Sequence, residues 1–124
     1  MLVETVLATP LEEFRRASPA ERQRGLRVIR DIFPVRPKAD GLRNDARVTT
    51  PTPARHLERI TAPTLAISAQ DDLYSTAGGA KYAAEQTPGA RLILFPTGGH
   101  AWLGHDAVVR DEVATFLRRA TSSQ

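Results

Sequence analysis

The sequence predicts an α/β fold, and three observations lead there. Two short continuous apolar runs, 64–69 (TLAISA) and 91–95 (RLILF), have the length and the flanking turn residues of buried strands. The stretch between them, 77–86 (AGGAKYAAEQ), reads as a helix stopped by Thr87-Pro88-Gly89. A strand, a helix and a strand in so little chain imply a parallel pair with a right-handed crossover. The expected architecture is therefore two parallel strands with that crossover and a C-terminal helix, preceded by an α-helical hairpin and a long loop. It divides into a helical segment with an extended loop at 1–53 and a β-α-β-α part at 54–124.

Thr9-Pro10-Leu11-Glu12 and Ser18-Pro19-Ala20-Glu21 share one form: a hydroxyl cap, Pro at the first helical position and Glu at the third. They predict a short helix over about 10–17 and a longer one over about 19–33. Leu26, Ile29 and Phe33, with Val28 and Ile32 alongside, give the second an apolar stripe, and Pro34 stops it. From 34 to 53 periodicity vanishes. Pro34, Pro37, Gly41, Asn44, Pro51 and Pro53 predict an extended loop with little regular structure. Residues 54–60 make a turn or two of helix leading into the first strand. Ser75 or Thr76 caps the crossover helix, where Gly78 and Gly79 suit close packing on the sheet. Asp106 caps a final helix to about Arg119, with Val109, Val113, Phe116 and Leu117 facing the sheet.

Composition narrows the function classes. With 124 residues, 41% hydrophobic and 25% charged, the chain can build one globular core. It has no cysteine, which excludes disulfides and thiolate chemistry. No apolar run approaches the roughly 20 residues of a membrane span, and the start, LVETVLA after Met1, lacks a basic leader, so the expected setting is cytoplasmic, with no membrane partner. Residues 1–60 hold 12 Lys and Arg against 8 Asp and Glu. Those arginines lie at helical spacing among acids, with no aromatic residues interleaved to stack bases, so they read as a solvated helix face and no nucleic-acid partner is expected. No cofactor motif is present.

The chemistry-bearing residues follow the two strands. In a parallel sheet the loops after both strands emerge at one edge, where open α/β sheets place their sites. That brings Asp71 and Asp72 together with His100, which follows the Gly98-Gly99 turn and precedes Trp102. A carboxylate there accepts a hydrogen bond from one imidazole nitrogen, fixes the tautomer, and stabilises the imidazolium when the other nitrogen takes a proton. A metal site on His100 and His105 has no third ligand at motif spacing, and His56 reads as a surface histidine. Trp102 is expected as a wall over the site or against the last helix.

At these residues the chain resembles the α/β-hydrolase family. ITAPTLAISAQDDLYST looks like that family's penultimate strand and acid loop, and TPGARLILFPTGGHAWLGHDAVVRDEVATFLRR looks like its last strand, histidine loop and final helix. The resemblance covers 60–119 and extends more weakly upstream, where the helices look like the tail of a cap segment. The family's acid stands three residues after a Gly. Ala69 holds that position here, which implies Asp72 as the acid, leaving Asp71 to order the loop, and His100 as the histidine.

The resemblance also implies a serine in a Gly-x-Ser-x-Gly elbow upstream. Ser18, Ser68, Ser75, Ser122 and Ser123 all lack the flanking glycines. The chain thus looks like the C-terminal portion of a Ser-Asp-His ester hydrolase, supplying Asp72 and His100 without the nucleophile and inactive alone. The expected partners are a separate nucleophile-bearing half or a second copy, joined through an exposed sheet edge, and a small-molecule substrate once complemented. The other reading is a non-catalytic truncated α/β module acting in protein–protein association.

Overall fold

A computed structural model describes residues 2–48 and 55–122. Six helices and two strands follow in the order α1 (Leu2–Val6), α2 (Leu11–Arg16), α3 (Pro19–Ile32), α4 (Ala39–Val48), β1 (Leu65–Ala69), α5 (Thr76–Gln86), β2 (Arg91–Phe95) and α6 (Asp106–Ser122). The class is mixed α/β. Strands β1 and β2 pair in parallel, with Leu65 opposite Arg91 and Ala69 opposite Phe95, so both end at one edge. Ala69, Phe95 and Val109 form the buried centre of the core, and Ile67, Ile93, Trp102 and Val113 pack around it.

Both expected N-terminal helices are present, with α3 starting at Pro19 under a Ser18 cap whose Oγ accepts the Glu21 N–H at 3.2 Å. The first cap differs. Thr9 is buried and donates its hydroxyl to the Leu7 carbonyl, and Pro10 takes the cap position of α2 with no side-chain bond. The apolar stripe of α3 splits. Gly25 and Ile29 are buried and Val28 and Ile32 line a cleft, whereas Leu26 and Phe33 stay exposed. Gly25 is the close approach: an added Cβ would meet Leu7 Cδ1 at 3.1 Å and the Phe14 ring at 3.3 Å.

Much of the expected long loop is helical. A 3₁₀ turn at Arg36–Lys38 leads into α4 at Ala39–Val48, which buries no residue. Its support is local: Arg43 pairs with Asp40 and Arg47 with Asn44, each three residues apart on one face. Gly41 and Asn44 read as loop punctuation, yet each costs a helix only about 1 kcal/mol or less, and the polar pairs offset it. Residues 49–53 of that loop lie outside the described residues. The first helix, α1, has no cap signature and was not expected. The turn before β1 is a 3₁₀ segment at Leu57–Arg59.

Two further expectations change in the second half. Gly78 and Gly79 are exposed and have nothing within 4 Å of an added Cβ, so they serve no close packing on the sheet. Leu117 is also exposed, while Val109 is buried and Val113 packs on the core, so the sheet-facing side of α6 is narrower than its apolar pattern.

Candidate active site

The loop after β1 and the loop after β2 meet at the carboxyl edge, as parallel pairing requires. His100 Nδ1 lies 2.8 Å from Asp72 Oδ2. The Asp72 side chain is 1% exposed and that of His100 is 48% exposed. Asp72 is held from three sides: Oδ1 accepts the Tyr74 N–H at 2.8 Å, and Oδ2 accepts the Thr76 hydroxyl in a short bond as well as His100. Because Thr76 spends its proton on Asp72, buried Ser68 donates to Thr76 Oγ1 at 2.9 Å, a relay of two hydroxyls ending on the carboxylate. Burial works to raise the Asp72 pKa. The bonds from Thr76, His100 and the Tyr74 N–H, with the attraction of the His100 charge, outweigh it and hold the carboxyl below the ordinary aspartate value. An ionised carboxylate only accepts hydrogen bonds, so Nδ1 carries a proton and the neutral ring leaves its lone pair on Nε2. Among the described residues Nε2 has no hydrogen-bond partner.

Asp71 turns the other way. Its Oδ1 accepts the Gly99 N–H at 2.8 Å and its Oδ2 the Gly98 N–H at 3.1 Å. The neighbouring acid therefore ties the histidine loop to the acid loop through backbone, while Asp72 holds the imidazole itself. Gly98 (φ 118°) and Gly99 (φ 60°) take left-handed backbone that a side chain resists. A Cβ on Gly99 would fall within 2.5 Å of Thr9 Cα.

That contact introduces a participant the sequence did not signal. The buried segment Leu7-Ala8-Thr9 lies against both loops, and the Ala8 carbonyl accepts the Leu73 N–H at 2.9 Å and the His100 N–H at 3.3 Å. Tyr74 adds a second tie, donating its hydroxyl to the Thr5 carbonyl at 2.9 Å and setting its ring edge-on to His100 with centroids 5.0 Å apart. From α3, Arg24 bonds the Ala101 carbonyl at 2.7 Å and Glu21 at 2.8 Å, and approaches Asp106 at 3.7 Å. The relay hydroxyl of Thr76 had one visible signal, its place four residues after Asp72 at a helix start. Ala8 and Arg24 had none, because their contacts join segments far apart in the chain.

His100, Tyr74, Ala101 and Trp102 line a cleft of about 390 Å³ together with Val6, Leu7, Val28, Ile32 and Arg24. Trp102 belongs both to this lining and to the core packing. His105 does not join His100. It stacks on Phe95, the ring centroids 4.0 Å apart and 11° from parallel. No cluster of three or more His, Asp or Glu among the described residues is arranged for a metal ion. His56 is exposed beside Glu58.

The arrangement can hold one imidazole in a fixed tautomer and offer its free nitrogen to a group in the cleft. No described serine lines that cleft: Ser18 caps α3, Ser68 is in the relay, Ser75 precedes α5, and Ser122 bonds the Arg118 carbonyl. Among the described residues, no helix is long and apolar enough to cross a membrane. No protein-family model matches the chain, and neither the curated proteins nor the solved structures contain a match to it.

Proposed function

We propose that the chain supplies the acid and the base of an α/β-hydrolase-type ester hydrolase whose serine comes from a separate segment. The observation that carries this is the bond between buried Asp72 and half-exposed His100, with the free imidazole nitrogen beside a cleft. Asp72 stays ionised and orients the ring. Nε2 takes the proton of the incoming serine hydroxyl as that oxygen attacks the ester carbonyl. The resulting imidazolium is stabilised by Asp72 and returns its proton to the leaving alcohol. Water then repeats the sequence on the acyl-serine, with Nε2 again as base. The order of strand, acid, helix, strand and histidine supports the family reading, and the absence of a glycine-flanked serine in the sequence supports the need for a complement.

The test is hydrolysis of a p-nitrophenyl ester by the chain alone and by the chain joined to the polypeptide encoded directly upstream. The chain alone is expected to show no turnover above the slow background of an exposed imidazole. The joined protein is expected to turn over and to lose activity in His100→Ala. Turnover by the chain alone that His100→Ala abolishes would overturn the need for a complement. A joined protein that carries a Gly-x-Ser-x-Gly elbow and still shows no turnover would overturn the hydrolase reading.

A second reading, a non-catalytic module acting in association, has its own support in apolar side chains left in solvent. Leu26, Phe33, Leu42 and Val48 are each between 46% and 56% exposed.

A further inference from the structure

The walls of the cleft at His100 differ sharply in polarity from the site edge. Val6, Leu7, Val28, Ile32 and Trp102 present hydrocarbon, and the polar groups are His100, Tyr74 and Arg24. Two of these three are already engaged. The Tyr74 hydroxyl donates to the Thr5 carbonyl. Arg24 bonds the Ala101 carbonyl and lies against both Glu21 and Asp106, so its charge is balanced inside the protein and not held for an incoming anion. Among the described residues His100 Nε2 has no hydrogen-bond partner, so it offers the cleft an unengaged polar atom. At about 30 Å³ per carbon-sized group, the volume share of a liquid water, the space holds on the order of a dozen heavy atoms.

We propose that this cleft binds an uncharged aliphatic chain of about eight carbons with its ester head, the chain lying against Val28, Ile32 and Trp102 and the carbonyl end beside His100. The assignment of this chain as the acyl part of a substrate rests on the hydrolase reading above. The binding of the chain itself stands on the cleft.

Trp102 is the only tryptophan and sits in the wall, so its fluorescence reports occupancy directly. The experiment titrates methyl butyrate, methyl hexanoate, methyl octanoate and free octanoate into the intact chain, alongside Val28→Asp and Ala101→Leu. Val28 is 41% exposed, so the charge there changes the cleft rather than the core, and Ala101→Leu fills the space from a second lining position. The expected result is a saturable Trp102 shift, with affinity rising about fourfold per added methylene. Methyl octanoate is expected to bind more tightly than octanoate, and each variant to weaken it by more than about tenfold.

Affinity independent of chain length, or unchanged in both variants, would overturn the proposal. Tighter binding of octanoate than of its methyl ester would overturn it too, by making Arg24 an anion hook. The low-field proton NMR signal of His100 Nδ1–H reports the acid–base pair separately. Its persistence without any Trp102 shift would sink the aliphatic site and leave the pair intact. Chain-length-dependent binding in a serine-completed enzyme that does not turn over would uphold the site and overturn the hydrolase reading.

Discussion

Two adjacent aspartates do different work because consecutive side chains leave a loop in different directions. Asp72 is enclosed and collects the Tyr74 N–H, the Thr76 hydroxyl and the imidazole, while Asp71 reaches the backbone of Gly98 and Gly99. Asp72→Asn should lower stability by about 1–3 kcal/mol at neutral pH, because it exchanges a charged acceptor for an amide that offers donors to donors. The pH dependence follows from the lowered carboxyl pKa. A group depressed in the folded state contributes its stabilisation above the unfolded value of about 3.9 and loses it as pH falls through the folded value. Urea melts of wild type and Asp72→Asn should therefore draw together on acidification below about pH 4; a gap that stays constant would refute the assignment. Gly99→Ala should cost about 2 kcal/mol or more, combining left-handed backbone with collision against Thr9. Thermal melting checks it.

At the scale of elements, local signals and tertiary demands can be separated by glycine. Gly78 and Gly79 lie in α5 with nothing near an added Cβ and no positive φ. Alanine at either should raise stability by about 0.5–1 kcal/mol, by removing conformational freedom from the unfolded chain and improving helix propensity. A loss in urea denaturation would mean that α5 packs more tightly than described. The strands were legible because each is a compact apolar run set off by Pro or Gly, and 91–95 was placed to the residue. Helix α4 was not legible, since it carries Gly41 and Asn44 and buries nothing. Its support is side-chain pairing along one face, which a search for apolar periodicity passes over. The expected cap at Thr9 failed for the opposite reason: tertiary burial drew its hydroxyl inward. Asp106 likewise opens α6 itself, and His105 supplies the carbonyl that Val109 N–H bonds at 2.9 Å.

For the whole molecule the decisive feature is a sheet of two strands, in which, among the described residues, each strand has an unpaired side. Leu92 on β2 is 38% exposed, and the apolar residues of α3 and α4 add further uncovered surface. Open strand edges beside apolar patches invite pairing with another chain. Light scattering coupled to size-exclusion chromatography should show association that grows with concentration. A monodisperse monomer with a sharp cooperative melt at every concentration would argue that the edges are protected. Added nucleophile-bearing polypeptide should compete with this self-association if both use the free side of β1.

The sequence by itself determined the class, the parallel pairing and the convergence of the Asp71-Asp72 loop with the Gly98-Gly99-His100 loop. These follow from short-range rules: apolar runs make strands, one helix between them makes the pair parallel, and parallel strands end together. Only the tertiary structure decided which carboxylate meets the imidazole by geometry, through the Thr76 and Ser68 hydroxyls that hold it. It alone showed that Leu7-Ala8-Thr9 braces both loops and that α3 closes a cleft over His100. Those contacts join residues far apart in the chain, Ala8 with Leu73 and with His100, and no local pattern encodes a hydrogen bond whose two ends are set by separate turns of the chain.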